Sequence, residues 1–231
     1  MKQLPNPETY EKEILYMPWG VLVKDVLELT INNAKKDGKV LDLMCGPGQL
    51  LSKIKEKRRD LLLTGVDIDK RYIEFALANF PDINFIYANA LDWKTEERFD
   101  TILITGGVHH VPYEKKKDII IKIASLLAED GFCVLADPFV DDYANEKERR
   151  SAAAKLGYEY IKAVLEKDAP DEIVSASIDI LANDVLPNGE YKTSISKMID
   201  LLKPVFTTIE IRKTWPEKDS EYGDYYFILK K

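Results

Sequence analysis

The sequence predicts an α/β fold in which a mostly parallel sheet carries helices on both faces. Short apolar runs alternate with helix-patterned segments between Lys39 and Ala136, as repeated strand–helix units do. Two further strand-like runs close the chain without a helix between them. The 231 residues are 45% hydrophobic, which is enough to bury one sizeable core. We therefore expect a single domain over residues 1–231.

The first half of the chain supplies most of these elements. A leading helix is predicted from Trp19 to Lys35, because its apolar residues share one broad face. The alternation that follows predicts five strands and three helices. The strands are expected at 39–44, 61–66, 83–87, 101–105 and 132–136, and the helices at 50–58, 71–79 and 115–127. Gly131 is expected to cap the last of these helices, since glycine accepts the left-handed conformation.

The second half departs from this alternation. Residues 141–167 are charged and alanine-rich with helical spacing, and a second helix is predicted after them, with Asp168 as its cap and Pro170 in its first turn. We expect residues 141–190 to form a helical insertion. Strands at 205–213 and 225–230 then predict an antiparallel hairpin at one edge, which brings the sheet to seven strands.

Composition excludes several classes of protein. The net charge is −7 and the isoelectric point about 5.1, so no general basic field attracts nucleic acid. No apolar run approaches the roughly 18 residues that span a bilayer, and the first ten residues lack the zones of a signal peptide. We expect a cytoplasmic protein with no nucleic-acid or membrane partner. Cys45 and Cys133 form no C-x-x-C pattern, so reduced thiols and no metal site are expected.

The stretch from Val40 to Gly48 carries the main functional signal. It is an apolar strand with Asp42 inside it, followed by Gly46 and Gly48. Glycines directly after a strand let a ligand approach the backbone, and the next helix presents free N–H groups there. Asp67 ends the next strand 21 positions after Gly46, a spacing at which an acid reaches the ribose hydroxyls of an adenosine. The two signs together predict an adenosine site.

Two departures from the dinucleotide pattern indicate which adenosine cofactor binds. Leu51 stands where a pyrophosphate-binding loop has its third glycine. Asp42 lies four residues before Gly46, where a carboxylate repels a pyrophosphate and favours a cation. S-adenosyl-L-methionine offers both a sulfonium and an amino group. The sequence therefore favours this cofactor over NAD.

At these residues the sequence resembles the class I S-adenosylmethionine-dependent methyltransferases, whose fold is Rossmann-like. The resemblance covers residues 39–138, and the final hairpin also fits. Asp42 to Gly48 is similar to the first motif of the family, with Met44 where glycine is common. The resemblance implies that Asp67 binds the ribose and that Ile68 lies along the adenine.

The resemblance extends to later motifs. Asn89, Ala90 and Leu91 stand where an Asp-Ala pair often holds the adenine amino group, and an amide oxygen can accept that hydrogen bond as well. Residues 99–111 are similar to the fourth strand and its loop, so Thr105 is expected at the cofactor. Residues 126–136 resemble the following helix end, turn and fifth strand.

His109 and His110 are the two histidines of the sequence, and they follow the predicted fourth strand. Open α/β sheets bind ligands at this edge, so either ring could contact the methyl acceptor or act as a general base. The alternative is that they hydrogen-bond the loop and cap the next helix. The sequence leaves both open.

The function that these residues predict is methyl transfer from S-adenosylmethionine to the oxygen or nitrogen of a small-molecule acceptor. Residues 141–190 would then be an acceptor-side cover that sets acceptor choice. Two alternatives stand beside it. One is a catalytically silent cofactor-binding or regulatory protein, since binding motifs do not prove turnover. The other is an NAD-dependent oxidoreductase, against which Leu51 and Asp42 argue.

Overall fold

A seven-stranded sheet forms the centre of the protein in the computed structural model, which describes residues 6–186 and 190–231. Its strands are β1 (Lys39–Leu43), β2 (Leu62–Asp67), β3 (Asn84–Tyr87), β4 (Phe99–Thr105), β5 (Leu127–Phe139), β6 (Thr208–Trp215) and β7 (Gly223–Lys230). Their order is β3-β2-β1-β4-β5-β7-β6. The first five strands are parallel, and β7 is antiparallel to both β5 and β6. The predicted fold class and the antiparallel hairpin are confirmed.

Eight α-helices surround this sheet within the described ranges. They are α1 (Pro7–Tyr16), α2 (Trp19–Asn33), α3 (Gln49–Lys57), α4 (Lys70–Asn79), α5 (Lys116–Leu126), α6 (Glu146–Glu166), α7 (Asp171–Val185) and α8 (Ile195–Leu202). The sequence patterns missed α1 and α8. Two short segments lie outside the described residues. They are residues 1–5, in the stretch where no signal peptide is predicted, and residues 187–189 of the predicted insertion. None of the helices described is both long and apolar enough to cross a membrane.

The buried side chains form a cluster on each face of the sheet. Along β4, Ile102 and Ile104 belong to one cluster and Leu103 to the other, as the period of two in a strand requires. Strand β1 divides in the same way, with Leu41 on one face and Val40 on the other. Because both faces are covered, the central strands are continuous apolar runs, which is the pattern that predicted them.

The predicted helix cap at Gly131 is wrong. Helix α5 ends at Leu126, and β5 begins at the next residue because Leu127 already pairs with Phe99 of β4. Gly131 lies inside this strand, beside a shift in the β4–β5 register. A Cβ atom there would come within 2.9 Å of the Asp100 carbonyl oxygen. Glycine at this position therefore allows β4 and β5 to lie close together, and α5 ends without a glycine cap.

The helical insertion contains α6 and α7, but its predicted cap is wrong as well. Helix α7 begins at Asp171 after Pro170, while Asp168 takes a left-handed conformation with φ of 50° and makes no cap. The two helices pack closely at Gly157, where a Cβ atom would lie 2.6 Å from the Leu181 side chain. The insertion also contacts α1 through an ion pair of 2.7 Å between Lys12 and Glu172.

Candidate active site

The candidate site lies at the carboxyl ends of β1 and β4. From β1 the chain proceeds outward through β2 and β3 and then returns to β4 on the other side of β1. The loops after β1 and β4 therefore diverge, and this switch point is where open α/β sheets bind ligands. Gly46 and Gly106 lie in these two loops with φ of 55° and 66°. A Cβ atom on either would meet no atom within 4 Å, so both backbones face open space.

Gly48 and Met44 have other local roles in the first loop. A Cβ atom on Gly48 would lie 2.7 Å from the Phe85 ring, so this glycine lets β3 pack against the start of α3. Met44 has φ of 68°, a conformation that costs a non-glycine residue about 1–2 kcal/mol. Its side chain occupies the space beside Gly107, where a Cβ atom would come within 2.8 Å of the Met44 sulfur. Glycine at 107 thus accommodates methionine at 44.

Asp67 ties the glycine loop to the end of β2. Its Oδ2 accepts a hydrogen bond of 2.8 Å from the Gly46 amide, and its Oδ1 accepts one of 2.8 Å from the Asp69 amide. Burial raises the pKa of this carboxyl, although both amide hydrogen bonds oppose the shift. Each oxygen keeps a second lone pair, so the held carboxylate can still accept from ribose hydroxyls.

Asp42 lies in β1 beneath the same loop and is almost fully buried. Its Oδ1 has no hydrogen-bond partner among the described residues. Burial, and then the nearby Asp67, raise its pKa to about 8. A buried carboxyl without a cation holds its proton, so a cationic ligand group would supply what this residue lacks.

A small cavity adjoins Asp42 under the first helix. Tyr10 and Ile14 of α1 line it together with Asp42 and Thr105. Its volume is about 20 Å³, room for about one water molecule. Thr105, which was predicted at the cofactor, thus lies in the same cavity as the buried acid.

The predicted adenine-side residues lie in different environments. Ile68 is 52% exposed after the end of β2. The Oδ1 of Asn89 accepts a hydrogen bond of 2.9 Å from the Leu91 amide, which closes a local turn. Ala90 is buried in a core cluster, so its side chain packs inward. Their contacts with a cofactor stay predictions.

The histidine loop is a short 3₁₀ turn from Val108 to His110 that follows β4. The Nδ1 of His109 lies 2.7 Å from Oδ1 of Asp137, a buried residue near the end of β5. Neither histidine caps the next helix, because α5 starts six residues later with Lys115 at its cap position. The structure therefore supports the hydrogen-bonding part of the alternative and removes the capping part.

Three charged residues that sequence reasoning missed complete this region. The Oε2 of Glu190 lies 3.4 Å from Nε2 of His109 and 3.5 Å from Nδ1 of His110. The Nζ of Lys192 lies 3.8 Å from the same oxygen and 2.5 Å from Oδ1 of Asp184. Burial disfavours the charged form of Lys192, but the two carboxylates outweigh burial and raise its pKa. The name His109 cluster is used below for His109, His110, Asp137, Asp184, Glu190 and Lys192.

The backbone fixes the position of Glu190 in this cluster. The Tyr191 amide donates a hydrogen bond of 2.7 Å to the His109 carbonyl. The Tyr113 hydroxyl donates one of 2.9 Å to the Lys192 carbonyl, and the Tyr113 and Tyr191 rings meet edge to face at 5.5 Å. No sequence signal pointed to Glu190, whereas Asp137 could have been found from its place at the ligand-binding end of β5.

The fold and the glycine loop together define an open α/β protein with an adenosine-cofactor site. A family model described as "Methyltransferase domain" matches residues 40–131. An uncharacterized methyltransferase of Alkaliphilus oremlandii is 26% identical over 71% of this chain and 72% of its own length. A carboxy-S-adenosyl-L-methionine synthase of Campylobacter hominis is 22% identical over 71% of this chain and 74% of its own.

Solved structures agree with this fold. The plantazolicin methyltransferase BpumL, solved with a monoazolic desmethylPZN analog and SAH, matches with a TM-score of 0.62. It is 14% identical, and the match covers 97% of this chain and 91% of that one. These matches confirm the expected resemblance to the class I S-adenosylmethionine-dependent methyltransferases. The protein is a methyltransferase with S-adenosylmethionine as cofactor, which confirms both expectations.

Proposed function

We propose that the protein methylates a small-molecule acceptor at an oxygen or nitrogen atom, and that His109 and His110 contact this acceptor. The support is their place in the fold. His109 follows Thr105 by four residues, and Thr105 lines the cavity beside Asp42. The acceptor would therefore lie beyond β4 and β5, next to the cofactor.

The observation that carries this proposal is the 2.7 Å contact between His109 and Asp137. It joins the loop after β4 to the end of β5 and fixes the orientation of the imidazole ring. S-adenosylmethionine supplies a methyl group activated by a sulfonium. The chain mainly has to align the acceptor with that group and exclude water, and buried, hydrogen-bonded side chains are suited to this task.

The insertion is the proposed acceptor-side cover. Glu190 at its end contacts the histidine loop, and Asp184 of α7 pairs with Lys192 just beyond it. Arg149 of α6 donates a hydrogen bond of 2.9 Å to the Asp184 carbonyl, which links both helices to this region. The BpumL structure was solved in complex with a monoazolic desmethylPZN analog and SAH, which supports an organic acceptor here. Acceptor choice is therefore assigned to residues 141–190.

A methyl-transfer assay tests the proposal. The protein is incubated with S-adenosylmethionine labelled in its methyl group and with small amines, phenols and carboxylic acids, and labelled product is measured. We expect transfer to one acceptor class, loss of transfer in Asp67→Ala, and unchanged transfer in Asp82→Asn, which removes an exposed carboxylate just before β3 and outside the insertion. Cofactor binding without transfer to any acceptor would favour the silent binding protein. Tighter binding of NAD than of either methionine derivative would favour the oxidoreductase.

A further inference from the structure

Within the His109 cluster, two imidazoles and the Glu190 carboxylate lie at close range. One ligand atom from each of His109, His110 and Glu190 can be chosen so that the three lie within 4.8 Å of one another. Two histidines and one carboxylate, with positions left open, form a donor set that divalent first-row transition metals use in catalytic sites. The sequence predicted no metal site, because Glu190 is distant from the histidines along the chain.

The hydrogen bond to Asp137 decides which nitrogen of His109 is available. A carboxylate oxygen only accepts, so Nδ1 of His109 carries the hydrogen in the 2.7 Å contact. In a neutral imidazole, Nε2 then carries a lone pair, and this nitrogen lies 3.4 Å from another acceptor, the Oε2 of Glu190. A carboxylate behind a ligating histidine is the usual support for a metal-bound imidazole.

The spacing fits a metal ion between these atoms. Zinc binds imidazole nitrogen and carboxylate oxygen at about 2.0–2.2 Å, which puts neighbouring ligands of a tetrahedral site about 3.4 Å apart. The two measured separations from Glu190 are 3.4 and 3.5 Å. The side chains of His109 and Glu190 are 12% and 4% exposed, whereas that of His110 is 41% exposed, so an ion could enter from its side.

The surrounding charges are compatible with a cation. Asp137, Asp184 and Glu190 bring three carboxylates, against which Lys192 and the buried Lys116 bring two ammonium groups. Lys116 donates its Nζ hydrogen to the Val108 carbonyl at 2.7 Å and so supports the histidine loop from below. The Nζ of Lys192 lies 3.8 Å from the Glu190 carboxylate.

We propose that His109, His110 and Glu190 bind a divalent transition-metal ion of the zinc type, with an open coordination position toward the acceptor. Asp137 and Lys192 act as positioning residues for His109 and Glu190. That the open position holds an oxygen of the methyl acceptor rests on the proposed function, whereas metal binding itself does not.

The test is direct metal binding to the full chain without a histidine tag, after treatment with a chelator. Co²⁺ is titrated and followed by its absorption spectrum, and Zn²⁺ is then used to displace it. We expect one ion per chain and the intense bands of a four-coordinate site. Catechol, a small oxygen donor, should then change the spectrum by occupying the open position.

Variants separate a built site from chance binding. Glu190→Gln and His110→Ala should each weaken Co²⁺ binding at least about 100-fold, and Asp137→Asn about 10-fold. Asp179→Asn, which removes an exposed carboxylate, should leave it unchanged. Absence of stoichiometric binding, as expected if His109 only contacts the two neighbouring carboxylates, overturns the proposal. So does binding that survives both Glu190→Gln and His110→Ala. None of these readouts depends on methyl transfer, so a failed transfer assay would count only against the proposed function.

Discussion

Asp42 should make cofactor binding depend on pH. Its pKa of about 8 means that only about one tenth of the protein has this carboxyl ionised at pH 7. If the carboxylate faces the cationic methionine end of the cofactor, binding has to release its proton. The affinity for S-adenosylhomocysteine should therefore rise about tenfold per pH unit between pH 6 and 7 and level off towards pH 8.

Calorimetry measures this linkage directly. Titrations at pH 6.5 in two buffers of different ionisation enthalpy should show release of nearly one proton per cofactor bound. Asp42→Asn cannot release it, so its affinity should be weaker at pH 8 and flat with pH. Zero proton release by the wild-type protein would refute the assignment of Asp42 to the cationic end.

The same shift has a consequence for stability. The folded protein binds the Asp42 proton more tightly than the unfolded chain does, because its pKa is raised from the usual 3.8. Stability from this group is therefore lost as the pH rises from about 4 to 8. Asp42→Asn should unfold at a higher temperature than the wild type at pH 8 in the absence of cofactor, while the difference should vanish near pH 4.

Four further substitutions test the roles assigned to single residues. Asp67→Ala should weaken cofactor affinity at least about tenfold, or about 1.4 kcal/mol. If calorimetry on the folded variant shows an unchanged dissociation constant, Asp67 does not bind the cofactor. Gly48→Ala should cost at least about 2 kcal/mol in urea unfolding, because its left-handed backbone and the 2.7 Å approach of an aromatic ring both resist a side chain. Gly46→Ala should cost less in unfolding and more in cofactor affinity; equal unfolding costs would contradict the roles assigned to the two glycines. Asp184→Ala should destabilise the protein by about 3–5 kcal/mol, since it leaves the buried Lys192 ammonium without its 2.5 Å partner. A change below about 1 kcal/mol in the free energy of urea unfolding would show that this ion pair contributes little to stability.

The contact between the glycine loop and Asp67 could be anticipated from the sequence because its signals are local, while cofactor binding by these residues stays a prediction. Gly46 and Asp67 lie on adjacent strand ends, and their spacing in the chain follows from one strand–helix–strand unit. Their 2.8 Å hydrogen bond is what that spacing produces. By contrast, the signal at Gly131 was ambiguous. A glycine after two acidic residues is compatible both with a helix end and with a position inside a strand, so the local pattern predicted the wrong helix boundary.

The His109 cluster, which is proposed to face the acceptor, could not be predicted, since it depends on tertiary contacts. Glu190 and Lys192 are charged residues in a polar stretch, where a solvated surface is the usual expectation. Their burial arises only when the insertion folds back onto the histidine loop. Helix α1 was missed as well, and it too makes tertiary contacts: the following residue, Met17, shares a buried cluster with Ile173 of α7, and the Tyr10 ring lies 5.1 Å from the Trp19 ring.

The cavity beneath α1 has a kinetic consequence. The cavity has room for about one water and is far smaller than the amino-acid end of the cofactor, so if that end binds beside Asp42, Tyr10 and Ile14 have to move away first. Displacement of the helix also breaks the ion pair of Lys12 with the insertion. The observed rate of cofactor capture should then reach a plateau at high concentration, because helix opening becomes the slow step, and the plateau should be higher in Lys12→Ala.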